Sequence, residues 1–356
     1  MTKLRGALSQ IQGRFETEAR SPFDDGWAAE ERMETTFQAT VTEERARSII
    51  ARNDSPDIAF EQSINPYRGC EHGCIYCYAR PSHAYLELSP GLDFETKLFA
   101  KTNAVELLKE ELCRKGYRAK PIAFGTNTDC YQPIERRYRL MRGLLEVLAS
   151  CDHPVTIVTK SALIERDIDL LAPMAKKNLV KAFISITTLD HRLARTLEPR
   201  AASPRRRVDA IRALASAGVP CGVMVAPLIP ALTDQLLEHV LEAASNAGAT
   251  MAGWILLRLP NEVRPLFKEW LAFHYPQRAE HVISIVRQSR GGRENDPNFG
   301  SRMTGSGNFV DLVGKRFDLA CRRFGLNSED HHMASRDGLD CSLFRPLPVE
   351  GQMRLF

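Results

Sequence analysis

Hydrophobic and polar positions alternate between two periods from about residue 59 to residue 257. Short apolar or β-branched runs are separated by longer segments whose apolar residues recur at helical spacing. The predicted strands span approximately Ala59–Asn65, Lys120–Phe124, Val155–Thr159, Val180–Thr187, Cys221–Ala226 and Met251–Leu257. The predicted helices between them span Asn103–Lys115, Glu135–Ser150, Arg166–Lys177, Arg205–Ala217 and Thr233–Ala247. This alternation predicts parallel β/α units with right-handed crossovers.

The six units occupy about 200 residues, which suits a partial (β/α)6 TIM-like barrel of the α/β class better than a closed eight-stranded one. Residues 1–36 are polar without a sustained period and predict a loosely ordered arm. Thr42–Arg52 predicts a helix capped by Thr42. After Leu259 the pattern becomes helical over Val263–His274, Arg278–Val286 and Phe309–Phe324, with a long Gly-rich loop at Gly291–Gly307. We therefore predict an arm and helix (1–57), a barrel core (58–260) and a helical C-terminal extension (261–356).

Composition narrows the class of protein. The chain has 356 residues, of which 44% are hydrophobic and 26% charged, as in an ordinary globular protein, and its formal charge of +4 does not demand a polyanionic partner. Nine cysteines without an apolar secretory signal predict reduced thiols and a cytoplasmic location. No stretch is apolar enough to span a bilayer, so no membrane partner is expected.

Three cysteines within eight residues are the strongest chemical signal. Cys70, Cys74 and Cys77 are spaced like a loop that wraps one inorganic centre, since thiolates are soft ligands for iron–sulfur clusters or zinc. A cubane cluster normally takes four thiolates, so three would leave one iron open to a substrate or cofactor. A zinc site completed by His72 or His83 is the alternative, as is a non-catalytic structural or redox-sensing metal loop.

Polar residues follow the strands after the cysteine loop. The segment Gly125–Tyr131 contains Thr126, Asn127, Thr128 and Asp129, small polar residues that either line a polar ligand or form a turn-rich loop. Lys160 ends the third strand and Ser185 lies in the fourth. At a barrel mouth an ammonium and hydroxyls suit a carboxylate ligand, whereas the alternative for Lys160 is a solvated charge.

Taken together, these residues resemble the radical SAM superfamily, and within it the spore photoproduct lyase-related group. The resemblance rests on Cys-x3-Cys-x-Tyr-Cys-Tyr at Cys70 to Tyr78, on Thr128-Asp129 with Glu135, on Lys160 and on Ser185. It covers roughly residues 60–260.

The resemblance implies a [4Fe-4S] cluster on Cys70, Cys74 and Cys77, with S-adenosylmethionine (SAM) chelating the open iron. Reductive cleavage of SAM would give a 5′-deoxyadenosyl radical that abstracts hydrogen from an unassigned substrate, driven by a low-potential electron donor of flavodoxin or ferredoxin type. By the same resemblance Tyr76 neighbours the adenine, Thr128 and Asp129 bind the methionyl amino group, and Lys160 and Ser185 bind its carboxylate.

Two further residues are candidates for substrate chemistry. Spore photoproduct lyase uses a tyrosine after the last cluster cysteine, which Tyr78 matches, and a hydrogen-donating cysteine just before its Ser-Asp pair. That position is Asn127 here, and Cys130 is a thiol in the same loop. Cys341 in the tail is either a late donor at the barrel mouth or without a role. Nucleic acid is a possible partner, since arginines cluster at Arg136–Arg139, Arg205–Arg207 and Arg287–Arg293, although clusters of this kind also mark a solvated face.

Overall fold

The computed structural model describes residues 5–16, 38–328 and 338–347. The strands are β1 Thr40–Glu44, β2 Ile50–Arg52, β3 Gln62–Ile64, β4 Tyr67–Arg68, β5 Lys97–Lys101, β6 Ile122–Phe124, β7 Val155–Thr159, β8 Val180–Ser185, β9 Cys221–Leu228 and β10 Met251–Leu256. The helices are α1 Leu92–Thr96, α2 Ala104–Leu112, α3 Glu135–Tyr138, α4 Leu140–Ser150, α5 Ile168–Lys176, α6 His191–Leu197, α7 Pro204–Ser216, α8 Leu237–Asn246, α9 Val263–His274, α10 Pro276–Gln288 and α11 Asn308–Phe324. Short 3-10 helices span Arg80–Leu86, Ala162–Asp167 and Asp234–Leu236.

The main sheet has the strand order β10-β9-β8-β7-β6-β3-β2. Its six strands from β3 to β10 are parallel, and β2 is an antiparallel edge strand on β3. The two end strands, β10 and β2, do not pair with each other, so the sheet is an open, partial barrel. The predicted α/β class and the predicted six parallel units are confirmed, as is the helical C-terminal region.

Local sequence explains how the strands deliver their ends to one face. Val155 and Ile157 of β7 are fully buried, while the intervening residues are half-buried, as expected for a strand inside an α/β layer. Gly125 follows β6 with a φ of 75°, and a Cβ there would lie 1.9 Å from the carbonyl oxygen of Val158. The turn that starts the polar Thr126–Asp129 loop therefore requires glycine.

The predicted helix over Thr42–Arg52 is wrong, because these residues form β1 and β2. β1 pairs in parallel with β5, from Thr40 opposite Lys97 to Glu44 opposite Lys101, and β4 completes a three-stranded second sheet. Helix-start signals such as Thr42 followed by an acidic pair are weak, and the partner strand 57 residues on, itself not predicted, decided the conformation.

The predicted helix Glu135–Ser150 is interrupted at Arg139, whose φ is 51°. The buried Glu135 carboxylate accepts hydrogen bonds from the backbone N–H groups of Met141 at 3.0 Å and Arg142 at 3.3 Å. It therefore caps the new N-terminus of α4, which has no cap from its own preceding residue. A side-chain cap supplied from six residues earlier in the chain leaves no periodic signal in the sequence.

The tail segment 338–347 closes the end of the barrel away from the cysteine loop. The backbone N–H of Arg345 donates to the carbonyl of Cys151, and that of Asp340 to the carbonyl of Asn178. Both acceptors precede parallel strands, so Cys341 lies at the N-terminal end of the sheet and does not approach the mouth. The boundaries at 57 and 260 stay a prediction. None of the helices in the described ranges is long and apolar enough to cross a bilayer.

Candidate metal and cofactor site at the strand ends

The cysteine loop, residues 70–77, leaves β4 and folds back on itself at the C-terminal ends of the parallel strands. The backbone N–H of Cys70 donates to the Phe94 carbonyl at 2.9 Å, and that of Cys77 to the Cys74 carbonyl at 3.2 Å. All three thiols are free, with Cys70 and Cys74 buried and Cys77 half-buried. Three unpaired thiols on one short, hydrogen-bonded loop are a donor set that fits an iron–sulfur cluster.

The two histidines of the zinc alternative each use one ring nitrogen within the protein. The Nδ1 of His72 lies 3.4 Å from the Asp129 carboxylate, and the Nε2 of His83 lies 2.9 Å from the Lys97 carbonyl oxygen.

The thiols lie in an environment that has opposing effects on their ionisation. Burial raises the pKa of Cys74 to about 12, the nearby Glu198 carboxylate raises it further, and the Lys160 ammonium opposes the rise. Burial also raises the pKa of Cys77, again opposed by Lys160 among other groups. Binding of a metal centre must therefore displace the thiol protons, and Lys160 favours the thiolates that result.

A buried ion pair that the sequence did not reveal supports the cysteine loop. Arg80 is fully buried and uses all five guanidinium N–H donors, which reach the carbonyls of Cys74, Gly73, Pro90 and Gly91 and the carboxylate of Glu95. The distance from Arg80 Nη2 to Glu95 Oε1 is 2.6 Å, and neither side chain is exposed. The Arg80 guanidinium thus fixes two loop carbonyls beside Cys74.

Residues 5–16, which we call the N-terminal strap, pack against the same loop. The Glu95 carboxylate accepts the backbone N–H groups of Gly6 at 3.0 Å and Ala7 at 2.8 Å. A Cβ on Gly6 would lie 1.7 Å from the Gly73 carbonyl oxygen, so only glycine permits this approach. The expectation of a loosely ordered arm is therefore wrong for these residues. The remainder of the predicted arm lies outside the described ranges.

Tyr76, the predicted adenine neighbour, is held by a second buried charge pair. Its hydroxyl bonds the Glu198 carboxylate and lies 3.2 Å from the Thr187 hydroxyl. Glu198 also pairs with Arg207, which donates to the Ser185 carbonyl at 3.0 Å. Burial alone would raise the pKa of Glu198, but Arg207 and Lys160 hold it at about 2. The sequence analysis did not predict the pairing of Glu198 with Arg207, because nothing in their spacing marks a pair.

The structure brings Lys160 and Ser185 close to Tyr76 and Arg207. The Lys160 ammonium lies 5.7 Å from the centre of the Tyr76 ring, and pairs with no carboxylate in the part of the chain that the structure describes. Ser185 ends β8 and is buried beside Arg207. An unpaired ammonium above an aromatic ring is free to bind an anionic group.

The Thr126–Asp129 loop is tied to the segment that enters the cysteine loop. Asn127 donates its backbone N–H to the Asn65 side chain at 3.1 Å, and the Thr128 hydroxyl donates to the Tyr67 carbonyl at 2.9 Å. The Thr126 hydroxyl accepts from the same Asn65 side chain at 3.4 Å. These predicted ligand residues therefore share one network with the metal loop.

Asp129 is the centre of that network. Its carboxylate accepts from the Thr159 hydroxyl at 2.7 Å and the Lys160 backbone N–H at 2.8 Å. Burial would raise the pKa of Asp129, but the charge and hydrogen bond of His72, together with these donors, hold it at about 2. The side chain is thus an anion that fixes β7 against the loop.

Tyr78 and Cys130, the two predicted catalytic residues, lie in different surroundings. The Tyr78 side chain is 49% exposed, and its hydroxyl bonds the Thr126 carbonyl across the mouth. Cys130 is fully buried in the main hydrophobic core, next to the helices. The structure brings Tyr78 to the mouth but does not bring Cys130 there, and their chemical roles stay predictions.

Arg258 is a further mouth residue that the sequence did not single out. Its guanidinium lies 5.8 Å from the centre of the Tyr78 ring and donates to the Met303 sulfur at 3.5 Å. Its Nε is buried with no hydrogen-bond partner, and no carboxylate of the described residues pairs with it. Met303 belongs to the Gly291–Gly307 loop, which Arg290 anchors to the end of β10. The loop therefore flanks the mouth.

The predicted arginine clusters are partly used inside the protein. Arg207 is buried on Glu198, and Arg290 is buried on backbone carbonyls. Arg206 pairs with Glu165, and Arg287 with Glu294. The clusters at 205–207 and 287–293 are therefore not continuous free positive surfaces.

Comparison with known proteins gives the same picture over the barrel. A family model described as the Radical SAM superfamily matches residues 64–244. An uncharacterized protein of Mycobacterium tuberculosis (strain ATCC 25618 / H37Rv) is 40% identical over 243 residues, covering 67% of this chain and 72% of the relative. An uncharacterized protein of Methanocaldococcus jannaschii is 28% identical over 220 residues, covering 62% of this chain and 78% of the relative.

Solved structures extend the likeness beyond the barrel. Spore photoproduct lyase complexed with dinucleoside spore photoproduct matches with a TM-score of 0.56 and 16% identity, covering 82% of each chain. A variant of that lyase with bound AdoMet and dinucleoside spore photoproduct matches with a TM-score of 0.51 and 17% identity, covering 81% of this chain and 79% of the other. At these identities the likeness is one of fold.

Proposed function

Because the chain belongs to the radical SAM superfamily, whose enzymes use SAM, an iron–sulfur cluster and an electron donor, we propose that it cleaves SAM reductively at a [4Fe-4S] cluster bound by Cys70, Cys74 and Cys77. The observation that carries the proposal is the placement of three free thiols on one loop at the C-terminal ends of six parallel strands. When bound, the cluster would supply the electron for reductive cleavage of SAM and so the radical chemistry on which hydrogen abstraction depends.

The chain's own residues bind and orient the cofactor. Lys160, an unpaired ammonium, binds the methionyl carboxylate by a charge-assisted hydrogen bond, and Ser185 adds a hydroxyl. Thr128 and Asp129 are assigned to the amino group, because Asp129 lies 3.4 Å from His72 of the cysteine loop and Thr128 is hydrogen-bonded to Tyr67 before that loop. Tyr76, whose hydroxyl is fixed by Glu198, presents its ring to the adenine.

The test is anaerobic reconstitution of the full chain with iron and sulfide, followed by electron paramagnetic resonance with and without SAM. We expect a cubane signal that SAM perturbs, together with formation of 5′-deoxyadenosine. Cys74→Ala should abolish both, and Cys113→Ala, a matched loss of a half-buried thiol outside the loop, should leave both unchanged. A cluster indifferent to SAM, or zinc in place of iron, would overturn the proposal.

The substrate we propose to test first is a nucleic-acid base or photoproduct. The solved structures with this fold include complexes of spore photoproduct lyase with a dinucleoside spore photoproduct. The unpaired Arg258 beside the exposed Tyr78 supports an anionic substrate such as a phosphodiester. Asn127 occupies the hydrogen-donor position, which argues for a different final donor from that of the lyase.

A dinucleoside substrate should raise 5′-deoxyadenosine formation above the uncoupled rate. Arg258→Met should raise KM for a dinucleotide about tenfold or more while leaving uncoupled SAM cleavage unchanged, and Arg118→Met, an exposed arginine before β6, is the matched control. No stimulation by DNA or RNA dinucleotides would rule out this substrate class and leave the SAM chemistry standing.

A further inference from the structure

An arginine-lined cleft of about 860 Å³ opens beside the cysteine loop. The basic side chains that line it are His72, Arg136, Arg166, Arg195, Arg200 and Arg206. Of the described lining residues, Glu165 alone is acidic. The cleft therefore presents an excess of positive charge, which we refer to as the arginine cleft.

The arginines of this cleft fall into two groups. Arg166 pairs with Glu135 and Asp167, Arg200 with Glu71, and Arg206 with Glu165. Arg136 and Arg195 are exposed and pair with no carboxylate within the ranges that the structure describes. Two unneutralised guanidinium groups on one rim give a field that attracts an anionic partner.

The cysteine loop contributes one residue, His72, to the lining of the cleft. His72 lies two residues from both Cys70 and Cys74, and lines the cleft. Arg200 holds this part of the loop from the rim, because its Nη2 lies 2.7 Å from Glu71 Oε1 and its backbone N–H donates to the His72 carbonyl at 3.2 Å. A molecule seated in the cleft thus contacts the cysteine loop at His72.

The cleft is distinct from the proposed SAM pocket. Ser161 lines the cleft, whereas the adjacent Lys160 places its ammonium over Tyr76. None of the residues that we assign to SAM (Tyr76, Thr128, Asp129, Lys160 and Ser185) is among the described residues that line the cleft. A partner in the cleft therefore need not displace a ligand held by Lys160 and Tyr76.

We propose that the arginine cleft docks an acidic, low-potential electron-transfer protein of flavodoxin type. The inference rests on the proposed function, which requires one electron for each SAM cleaved. In that step the donor's flavin loses one electron and the cluster gains it, with no atom transferred. Charge complementarity supports this occupant, because transient redox encounters are small interfaces that depend on electrostatic steering.

The test compares a protein reductant with a chemical one on the reconstituted full chain. The double variant Arg136→Glu and Arg195→Glu should reduce the rate of cluster reduction by flavodoxin and its reductase at least tenfold at low salt. The rate with dithionite, which needs no docking, should stay within twofold of that of the parent chain. Arg118→Glu, at the opposite end of the sheet, should change neither rate.

Direct binding gives a readout that does not depend on turnover. Oxidised flavodoxin should bind the parent chain with a salt-dependent affinity, and the double variant should bind at least tenfold more weakly in titration calorimetry. Absence of flavodoxin binding to the parent chain, or an unchanged flavodoxin-driven rate in the double variant, would overturn the docking proposal.

Two other outcomes separate the competing explanations. Equal losses with flavodoxin and dithionite would show that the arginines act on the cluster or the fold, which also contradicts docking. Loss of single-stranded oligonucleotide binding with flavodoxin binding intact would assign the cleft to nucleic acid instead. Failure of the parent chain to take up a cluster, with flavodoxin binding intact, would contradict the proposed function without contradicting the docking site.

Discussion

Glu95→Gln is the most informative single change, because it alters charge at one buried position without altering shape. The Glu95 carboxylate accepts from Arg80 at 2.6 Å, from Gly6 at 3.0 Å and from Ala7 at 2.8 Å. Glutamine offers one oxygen acceptor in place of two and carries no charge. The substitution therefore leaves Arg80 as a buried cation without a counter-charge.

The expected magnitude follows from the burial of the pair. Neither Arg80 nor Glu95 is exposed to solvent. Removing one partner of such a pair typically costs about 3–5 kcal/mol, and each hydrogen bond to a charged group contributes about 1.5–3 kcal/mol. We expect the free energy of unfolding to fall by about 3–5 kcal/mol, with the loss concentrated at the cysteine loop and the strap.

Denaturant unfolding of the iron-free chain measures the loss of stability, and the rate of iron removal by a chelator measures loosening of the loop. Glu95→Gln should release iron several-fold faster than the parent chain. The matched control is Glu61→Gln, whose carboxylate is 63% exposed and pairs with Lys120 at the surface. Its effect should stay within about 1 kcal/mol.

A change of less than about 1 kcal/mol in Glu95→Gln, with unchanged iron retention, would refute this reasoning. It would mean that Arg80 finds water or other acceptors and that the strap does not depend on the carboxylate. A loss of stability with normal iron retention would separate folding from support of the metal loop.

Three further predictions concern other parts of the molecule. Burial lowers the pKa of His153 to about 4, so as the pH falls the unfolded chain takes up a proton on this histidine before the folded chain does. The free energy of unfolding should therefore be unaffected by His153 above about pH 6.5 and fall by up to about 3 kcal/mol toward pH 4. This loss should be absent from the pH profile of His153→Phe. Lys160→Met should raise the SAM dissociation constant about 10- to 100-fold in equilibrium titration without lowering iron content, because one charge-assisted hydrogen bond is lost; equal affinity would exclude Lys160 from the carboxylate site. Gly6→Ala should expose the strap to protease and speed iron loss, because the added Cβ has no space. The control Gly314→Ala, in a helix where a Cβ would meet nothing within 4 Å, should be neutral or slightly stabilising. Equal behaviour of the two variants would contradict the close approach of the strap.

The sequence predicted the barrel well because its units are local. β7 and α9 have the predicted bounds, and the other core strands and helices differ mainly at their ends, as frayed termini do. Periodicity failed where pairing was non-local. β1 took its conformation from β5, its distant partner strand. Periodicity also missed the start of α4, which is set by the Glu135 side chain six residues before Met141.

The candidate site also has residues that the sequence predicted and residues that only the structure revealed. Residue type and spacing alone predict Cys70, Cys74 and Cys77 as ligands, so this hypothesis needed no knowledge of the fold. Lys160 and Ser185 were readable because the ends of parallel strands meet at one face. Their convergence on Tyr76 followed from that topology.

Only the tertiary structure revealed what holds the site in place. Arg80 meets Glu95 and Gly6, and Glu198 meets Arg207, through contacts that no local period encodes. A buried charge is stable only with its partner, and the chain fold alone decides which charges become neighbours. The amino-acid sequence by itself thus determined the candidate ligands and the six parallel units that present them. The support of the ligands, the mouth arginine and the arginine cleft depended on long-range packing.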